Sequence, residues 1–105
     1  MIKISILYPN NGKFDMSYYL NTHMPLSIKR ISAGQGYQGV SVERGLGGAT
    51  PGSPPGFVAL CHYQFDSIDN FMATFLPHAA ELQGDMPNYT DIEPIIQFSE
   101  VAISH

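Results

Sequence analysis

The chain has 105 residues, enough for one compact domain and too few for two, so we expect one domain over residues 1–105. Charged residues make up only 13% of it, about half of the usual roughly 25%, which predicts that a second copy of the chain covers part of the surface. The net charge of −4, with five scattered Lys and Arg residues, offers no basic stripe for phosphates and excludes nucleic acid as a partner.

The N-terminal part of the chain predicts one strand followed by one helix. Residues 2–8 alternate between isoleucine or tyrosine and other side chains, which is typical of a strand. Asp15 stands where a carboxylate caps the first backbone N–H groups of a helix. Pro25 lacks an N–H, so we expect it to interrupt this helix, which then resumes and ends near Ala33-Gly34.

The middle of the chain predicts two strands separated by a long loop. Val40 and Val42 alternate with polar residues in a strand over residues 37–46. Residues 45–56 contain five Gly and three Pro without an apolar period, which predicts a loop. Residues 57–65 are apolar at both parities, as in a strand that is covered on both faces.

The C-terminal part predicts a second helix and a last strand. Asp66 and Ser67 are good cap residues, and residues 68–75 then have apolar side chains at the i, i+3, i+4, i+7 spacing of a helix with one buried stripe. Pro77 is expected to end or kink this helix, and a short second piece follows over residues 78–82. Residues 83–91 are turn-rich, and residues 93–103 form the last strand.

The resulting order, β-α-β-β-α-β, predicts an α+β fold. Two right-handed β-α-β crossovers folded together give the ferredoxin-like arrangement, a four-stranded antiparallel sheet with both helices on one face. Because residues 57–65 are apolar on both faces, we expect the face away from the helices to be buried as well. Two such sheets packed face to face predict a homodimer that forms a dimeric α/β barrel.

Two segments resemble a known family. Residues 6–26, ILYPNNGKFDMSYYLNTHMPL, and residues 86–101, MPNYTDIEPIIQFSEV, resemble the start and the closing strand of the EthD-like family in the dimeric α/β barrel superfamily. The first motif combines a tyrosine pair with the turn His23-Met24-Pro25. The resemblance implies a dimeric barrel with a small apolar pocket between sheet and helices, and it singles out His23.

Relatives in this superfamily imply small-molecule chemistry. They include monooxygenases that use neither metal nor flavin, lactone isomerases and polyketide cyclases. EthD-like proteins are linked to ethyl tert-butyl ether degradation and are sometimes labelled reductases. The resemblance therefore implies an oxidoreductase or isomerase of catabolic or secondary metabolism. The loop at residues 45–56 departs from the family pattern and is expected near the pocket edge.

His23 and Tyr19 are the candidate catalytic residues. They are four positions apart on a helix and share one face. His23 would act as general base or acid near neutral pH, while Tyr19 or Tyr18 donates a hydrogen bond to a substrate oxygen. The alternative is structural: His23 binds a backbone group freed by Pro25, Asp15 is only a cap, and one tyrosine is core packing.

Tyr18, Tyr37, His62 and His78 are the candidate substrate-binding residues. Tyr37 belongs to an aromatic interior, and His78 would line the pocket from the second helix or lie on its solvated surface. His62 points away from its strand neighbour Cys61, and which of the two faces lines the pocket stays open. Cys61 is expected to be buried and inert.

The sequence contains no motif for a metal or a cofactor. Neither paired Cys/His spacing nor a Gly-rich nucleotide-binding motif is present, so we expect no metal site and no bound cofactor. No apolar run reaches the roughly 20 residues that span a bilayer. The single cysteine and an N-terminus unlike a signal peptide predict a cytoplasmic protein.

Three functional hypotheses follow from these residues. The first is an enzyme that transfers a proton through His23, as in isomerisation, cyclisation or cofactor-free oxidation of a small hydrophobic or aromatic oxygenated molecule. The second is a binding protein that sequesters a hydrophobic intermediate without turning it over. The third is a structural dimer in which His23 only braces a kinked helix.

Overall fold

The strands and helices of the computed structural model, which describes residues 1–105, follow the predicted order. They are β1 (Ile2–Pro9), α1 (Met16–Tyr18), α2 (Met24–Ile31), β2 (Tyr37–Arg44), β3 (Phe57–Phe65), α3 (Ile68–Phe75), α4 (Ala79–Asp85) and β4 (Ile95–Glu100). A π-helical turn, Tyr19–His23, joins α1 to α2, and 3₁₀ turns precede and follow α4. The strands form one antiparallel sheet in the order β2-β3-β1-β4, which confirms the predicted ferredoxin-like α+β fold.

Alternation along β1 and β3 divides the sheet into a helix-covered face and an open face. Ile4 pairs with Tyr63 and Tyr8 pairs with Ala59, and all four side chains are buried. The hydroxyl of Tyr63 forms a 2.7 Å hydrogen bond with that of Ser27 on α2, which places these residues on the helix-covered face. Because strand side chains alternate in direction, the residues between them point to the open face.

The open face of the sheet combines apolar side chains with one polar cluster. Its apolar members are half-buried or exposed: Leu7, Val58, Leu60 and Ile95. His62 lies near them, with Nδ1 2.8 Å from Ser5 Oγ and Nε2 3.2 Å from Glu43 Oε1. Residues 57–65 form a strand, as predicted; its helix-covered side chains are buried from Ala59 to Phe65, whereas Val58 and Leu60 on the open face are only half-buried, and full burial of that face stays a prediction.

Both helical segments begin at predicted cap residues. The Asp15 carboxylate accepts a hydrogen bond from the backbone N–H of Tyr18 at 3.0 Å, and the Ser67 hydroxyl accepts one from the backbone N–H of Asn70 at 3.1 Å. Each cap satisfies a donor that has no partner within its own helix.

None of the helices is both long and apolar enough to cross a membrane.

Pro25 does not break the first helix, contrary to the prediction. The chain stays helical from Met16 to Ile31, and the backbone N–H of Met24 donates to the carbonyl of Tyr19, five residues earlier. Proline cannot donate the usual hydrogen bond to the residue four positions before it, and the wider π turn directly ahead of Pro25 accommodates this loss. His23, the last residue of the π turn, is buried on the side of the helix that faces the sheet.

Two boundaries near the C-terminus differ from the prediction. The prediction places only turns in residues 83–91, whereas α4 continues to Asp85 and a 3₁₀ turn follows it. The last strand is shorter than the predicted 93–103, because Glu100 pairs with Ile2, the first residue of β1, and no strand partner lies beyond it. The extension of α4 brings Asp85 next to the first helix.

Candidate functional site

A cavity of about 340 Å³ lies between the helix-covered face of the sheet and the helices. Ten of its 15 lining residues are hydrophobic, including Ile6, Ile31, Phe71, Phe75, Leu82 and Ile96. Five buried side chains bring polar atoms to it: His23, Ser27 and three of the ten hydrophobic residues, Tyr8, Tyr63 and Tyr89. Exposed Gln83 and Glu93 form its rim. A mainly apolar cavity with a few polar groups is typical of a small-molecule site.

His23 is the only imidazole in the cavity wall. Its side chain is held by aromatic rings, stacked on Tyr19 with a centroid distance of 5.9 Å and tilted against Tyr89 at 4.5 Å. Nδ1 lies 2.9 Å from Oδ2 of Asp85, while Nε2 has no hydrogen bond to the protein. The free ring nitrogen is therefore available to a molecule in the cavity.

Asp85 is the centre of a hydrogen-bond network behind His23. Its Oδ1 accepts hydrogen bonds from the Tyr18 hydroxyl at 2.7 Å and from Asn88 Nδ2 at 3.0 Å. Burial acts to raise the pKa of Asp85, but the hydrogen bonds from Tyr18, Asn88 and His23 together lower it below its ordinary value. An ionised carboxylate can only accept, so Nδ1 of His23 carries the proton in this pair.

Two hydroxyl pairs form the rest of the polar cavity wall. The hydroxyls of Tyr8 and Tyr89 are 2.8 Å apart, and those of Ser27 and Tyr63 are 2.7 Å apart. Burial is the largest cause that raises the pKa of each of the three tyrosines. These hydroxyls therefore stay protonated at neutral pH and serve as hydrogen-bond donors.

The two predicted catalytic residues occupy different positions. His23 lines the cavity, whereas Tyr19 is buried behind it, in ring contact with His23 and with Tyr8 at 5.7 Å. Burial raises the pKa of Tyr19 far above its ordinary value. The catalytic role of Tyr19 stays a prediction, and the contact seen in the structure is packing against the imidazole.

None of the four predicted substrate-binding residues lines the cavity. Tyr18 donates its hydroxyl proton to the Asp85 network, and the ring of Tyr37 packs on those of Tyr63 and Phe65. His62 lies on the open face of the sheet, and half-buried His78 lies in the 3₁₀ turn before α4. Their ligand contacts stay predictions, and the parity of β3 places Tyr63 rather than His62 at the cavity.

Cys61 and the Gly- and Pro-rich loop lie outside the cavity wall. Burial raises the pKa of the Cys61 thiol to about 12, so it stays protonated and is a poor nucleophile. Residues 45–56 contain no helix or strand, as predicted, but none of them lines the cavity. No three His, Cys, Asp or Glu side chains are positioned to hold a metal ion.

Sequence reasoning missed Asp85, Tyr8 and Tyr89 as site residues. Asp85 lies 62 positions after His23, and no local spacing connects them. Tyr8 was visible as the one aromatic residue of β1, and Tyr89 belongs to the C-terminal segment MPNYTD. The signal that favours them is their position at the ends of elements that surround one cavity.

Replacing Asp85 with asparagine is expected to weaken the dependence of the free energy of unfolding on pH in the acidic range. Because the pKa of Asp85 is lowered in the folded chain, its contribution to the free energy of unfolding is present above the ordinary value of 3.8 and is lost as the pH falls through the lowered one. Urea denaturation of wild type and Asp85→Asn over a pH series measures this difference. Asp69→Asn is the matched control, since Asp69 is exposed and its side chain accepts no hydrogen bond; an equally flattened curve there would contradict the assignment.

Comparison with known proteins supports the same fold. A model of the EthD domain matches residues 13–93. The chain is similar to the crystal structure of an EthD-like protein from Ralstonia eutropha JMP134, with 42% identity, a TM-score of 0.89 and coverage of 99% of this chain and 94% of that one. An ethyl tert-butyl ether (EthD) family protein from Bacillus halodurans C-125 shares the fold, with 19% identity, a TM-score of 0.64 and coverage of 95% and 97%.

A search of curated proteins found no match. The EthD model covers most of the chain, and the Ralstonia protein matches it from end to end at an identity well above that of the Bacillus protein. The strand order, the helix that contains His23 and the segment around Tyr89 all fall within these matches. The chain therefore belongs to the EthD domain family.

Proposed function

We propose that this protein binds a small, mainly hydrophobic molecule that contains oxygen, and that His23 transfers a proton to or from it. The proposal rests on one observation, the His23–Asp85 pair in the wall of an apolar cavity. A histidine that only filled space would not line a cavity large enough for a ligand with one ring nitrogen free of hydrogen bonds to the protein. The proposal adds Asp85, which the sequence did not single out, as the hydrogen-bond partner of His23.

The geometry supports a general base with a fixed tautomer. Asp85 accepts a hydrogen bond from Nδ1–H and holds the ring, so Nε2 carries the lone pair. A proton taken by Nε2 creates an imidazolium, and the carboxylate of Asp85 stabilises that positive charge. Returning the proton to a different atom of the bound molecule completes an isomerisation or cyclisation without any other reactant.

The reaction class follows from this proton transfer. Isomerisation, cyclisation and cofactor-free oxidation all begin with removal of a proton by a base. The Bacillus relative is named for ethyl tert-butyl ether, which is itself a small hydrophobic molecule that contains oxygen.

One buried, protonated cysteine fits a reducing compartment, and we propose the cytoplasm as the location.

Proton exchange tests this function without knowledge of the natural substrate. The probe is 2-tetralone, a bicyclic ketone with acidic protons at C1, dissolved in D₂O and followed by proton NMR. The protein is expected to accelerate the loss of the C1 signal over buffer alone. Saturable binding with no acceleration would contradict proton transfer and favour a binding protein that sequesters its ligand. No binding and no acceleration would contradict the proposed site.

We also propose a homodimer that forms through the open face of the sheet. Leu7 lies on the inner strand β1 of this face and pairs with Leu60 on one side and Ile95 on the other. Three adjacent apolar side chains on a low-charge surface support burial by a second sheet. The cavity lies on the other side of the sheet, so the two sites of such a dimer would remain separate.

Replacing Leu7 with aspartate is expected to give a monomer. The substitution places a charge among the apolar side chains of the proposed interface, where desolvation opposes association. Light scattering after size exclusion measures the mass, and circular dichroism checks that the variant is folded. Leu46→Asp is the control, because Leu46 is 93% exposed in the loop and lies off the sheet. A folded Leu7→Asp variant with the mass of a dimer would contradict the proposal.

A further inference from the structure

The hydroxyl pair of Tyr8 and Tyr89 contains one O–H group for which the protein provides no acceptor. The two hydroxyls carry two protons, and the single 2.8 Å hydrogen bond between them uses one. Neither hydroxyl makes another hydrogen bond to a protein group. One O–H is therefore left without a protein acceptor, in a pair of residues that both line the cavity.

This unused donor lies beside the proposed base. The rings of His23 and Tyr89 are 4.5 Å apart between centroids, so a small molecule in the cavity can meet both residues at once. The pair of Ser27 and Tyr63 likewise has two hydroxyl protons and one hydrogen bond between them, and both residues line the same cavity. The buried part of the wall thus combines one nitrogen acceptor with hydroxyl donors.

A buried donor without an acceptor costs free energy, and a ligand oxygen that accepts from it recovers that cost. We infer that the unused hydroxyl of the Tyr8–Tyr89 pair donates a hydrogen bond to a carbonyl oxygen of the substrate, and that the substrate is an enolisable carbonyl compound. The inference rests on the proposed function in one respect, because it takes His23 as the base that removes the proton next to that carbonyl.

The proposed step needs no reactant other than the substrate and the side chains of the site. Nε2 of His23 takes a proton from the carbon next to the carbonyl, and the electron pair of the broken C–H bond forms a carbon–carbon double bond. The π electrons of the carbonyl move to its oxygen, which becomes an enolate oxygen. A hydroxyl donor placed at that oxygen stabilises the charge as it develops, and the imidazolium returns the proton afterwards.

Burial keeps this donor protonated. It raises the pKa of Tyr89 and is also the largest cause that raises the pKa of Tyr8, so neither hydroxyl ionises near neutral pH. The T-shaped contact between the Tyr8 and Tyr89 rings, with centroids 6.1 Å apart, fixes the two hydroxyls relative to each other. The donor is thus already oriented before a ligand enters, which is the condition for effective charge stabilisation.

Binding of 2-naphthol tests the inference, because its anion imitates an enolate in charge and shape. Naphthalene, which has no oxygen, is the matched control ligand. In the wild type the absorbance spectrum of bound 2-naphthol is expected to show the anion at a lower pH than in water. In the double variant Tyr8→Phe/Tyr89→Phe the affinity for the anion is expected to fall about 100-fold, with naphthalene affinity changed by less than about threefold.

The single variants Tyr8→Phe and Tyr89→Phe then identify the donor, since the larger loss marks the hydroxyl that contacts the ligand. Unchanged anion binding in the double variant, an equal loss for both ligands, or no binding of 2-naphthol to the wild type would each overturn the inference. Exchange of 2-tetralone that depends on His23 but not on the tyrosine pair would overturn the inference and leave the proposed function standing. Anion binding that needs the tyrosines, without any exchange, would instead contradict the proposed function.

Discussion

Replacing His23 with glutamine is expected to slow the exchange of the C1 protons of 2-tetralone by about 100- to 10,000-fold. Glutamine cannot accept a proton near neutral pH, so the base is removed while an amide N–H remains to donate to Asp85. NMR integration of the C1 signal over time in D₂O gives the rate for each variant. Affinity for the ketone is expected to change far less than the rate, since the apolar wall is unaltered.

His105→Gln is the matched control for this loss. His105 is the exposed last residue and is remote from the cavity wall, so the same chemical change there is expected to leave exchange unaltered. A second check is circular dichroism, which must show that the His23→Gln variant is folded. A folded variant that exchanges protons at the wild-type rate would contradict the role of His23.

Replacing Phe65 with alanine is expected to lower the free energy of unfolding by about 3–5 kcal/mol. Phe65 is 0% exposed on β3, and its ring packs edge-on against Phe71 of α3 at 5.4 Å and Tyr37 of β2 at 5.8 Å. Alanine would leave a space between sheet and helix that these neighbours cannot fill. Urea denaturation at fixed protein concentration measures the loss.

The control for Phe65 is Ile103→Ala at the C-terminus. Ile103 is 90% exposed and lies beyond β4, so its truncation is expected to change the free energy of unfolding by less than about 0.5 kcal/mol. A loss below about 1 kcal/mol for Phe65→Ala would show that the sheet and α3 do not pack as the structure has them.

The fold could be predicted because its signals are local. Alternation in residues 2–8 marks a strand, and Asp15 and Ser67 mark the starts of helices, since each pattern depends only on neighbours in sequence. The order of the elements then restricts the topology, because crossovers are right-handed and connections are short. The last strand was predicted too long because its end depends on where its partner β1 begins.

The site could be predicted only in part, because most of its contacts join distant positions. His23 was found from its spacing to Tyr19 and from the family resemblance. Its partner Asp85 lies in a segment that Gly84 and Pro87 made resemble a turn, and only tertiary packing extends α4 through it. The hydroxyl pair of Tyr8 and Tyr89 likewise joins residues 81 positions apart.

The π turn at Tyr19–His23 has a consequence for how the site can change in evolution. Relative to a regular α-helix it is equivalent to one extra residue, which changes how α1 is rotated relative to α2. In an α-helix each residue turns the chain by about 100°, so removal of the extra residue with α2 in place would leave His23, which adjoins α2, where it is and rotate Tyr19 and α1 about the helix axis. A single insertion or deletion in this turn would therefore replace the ring that packs on the imidazole while the base stays beside Asp85.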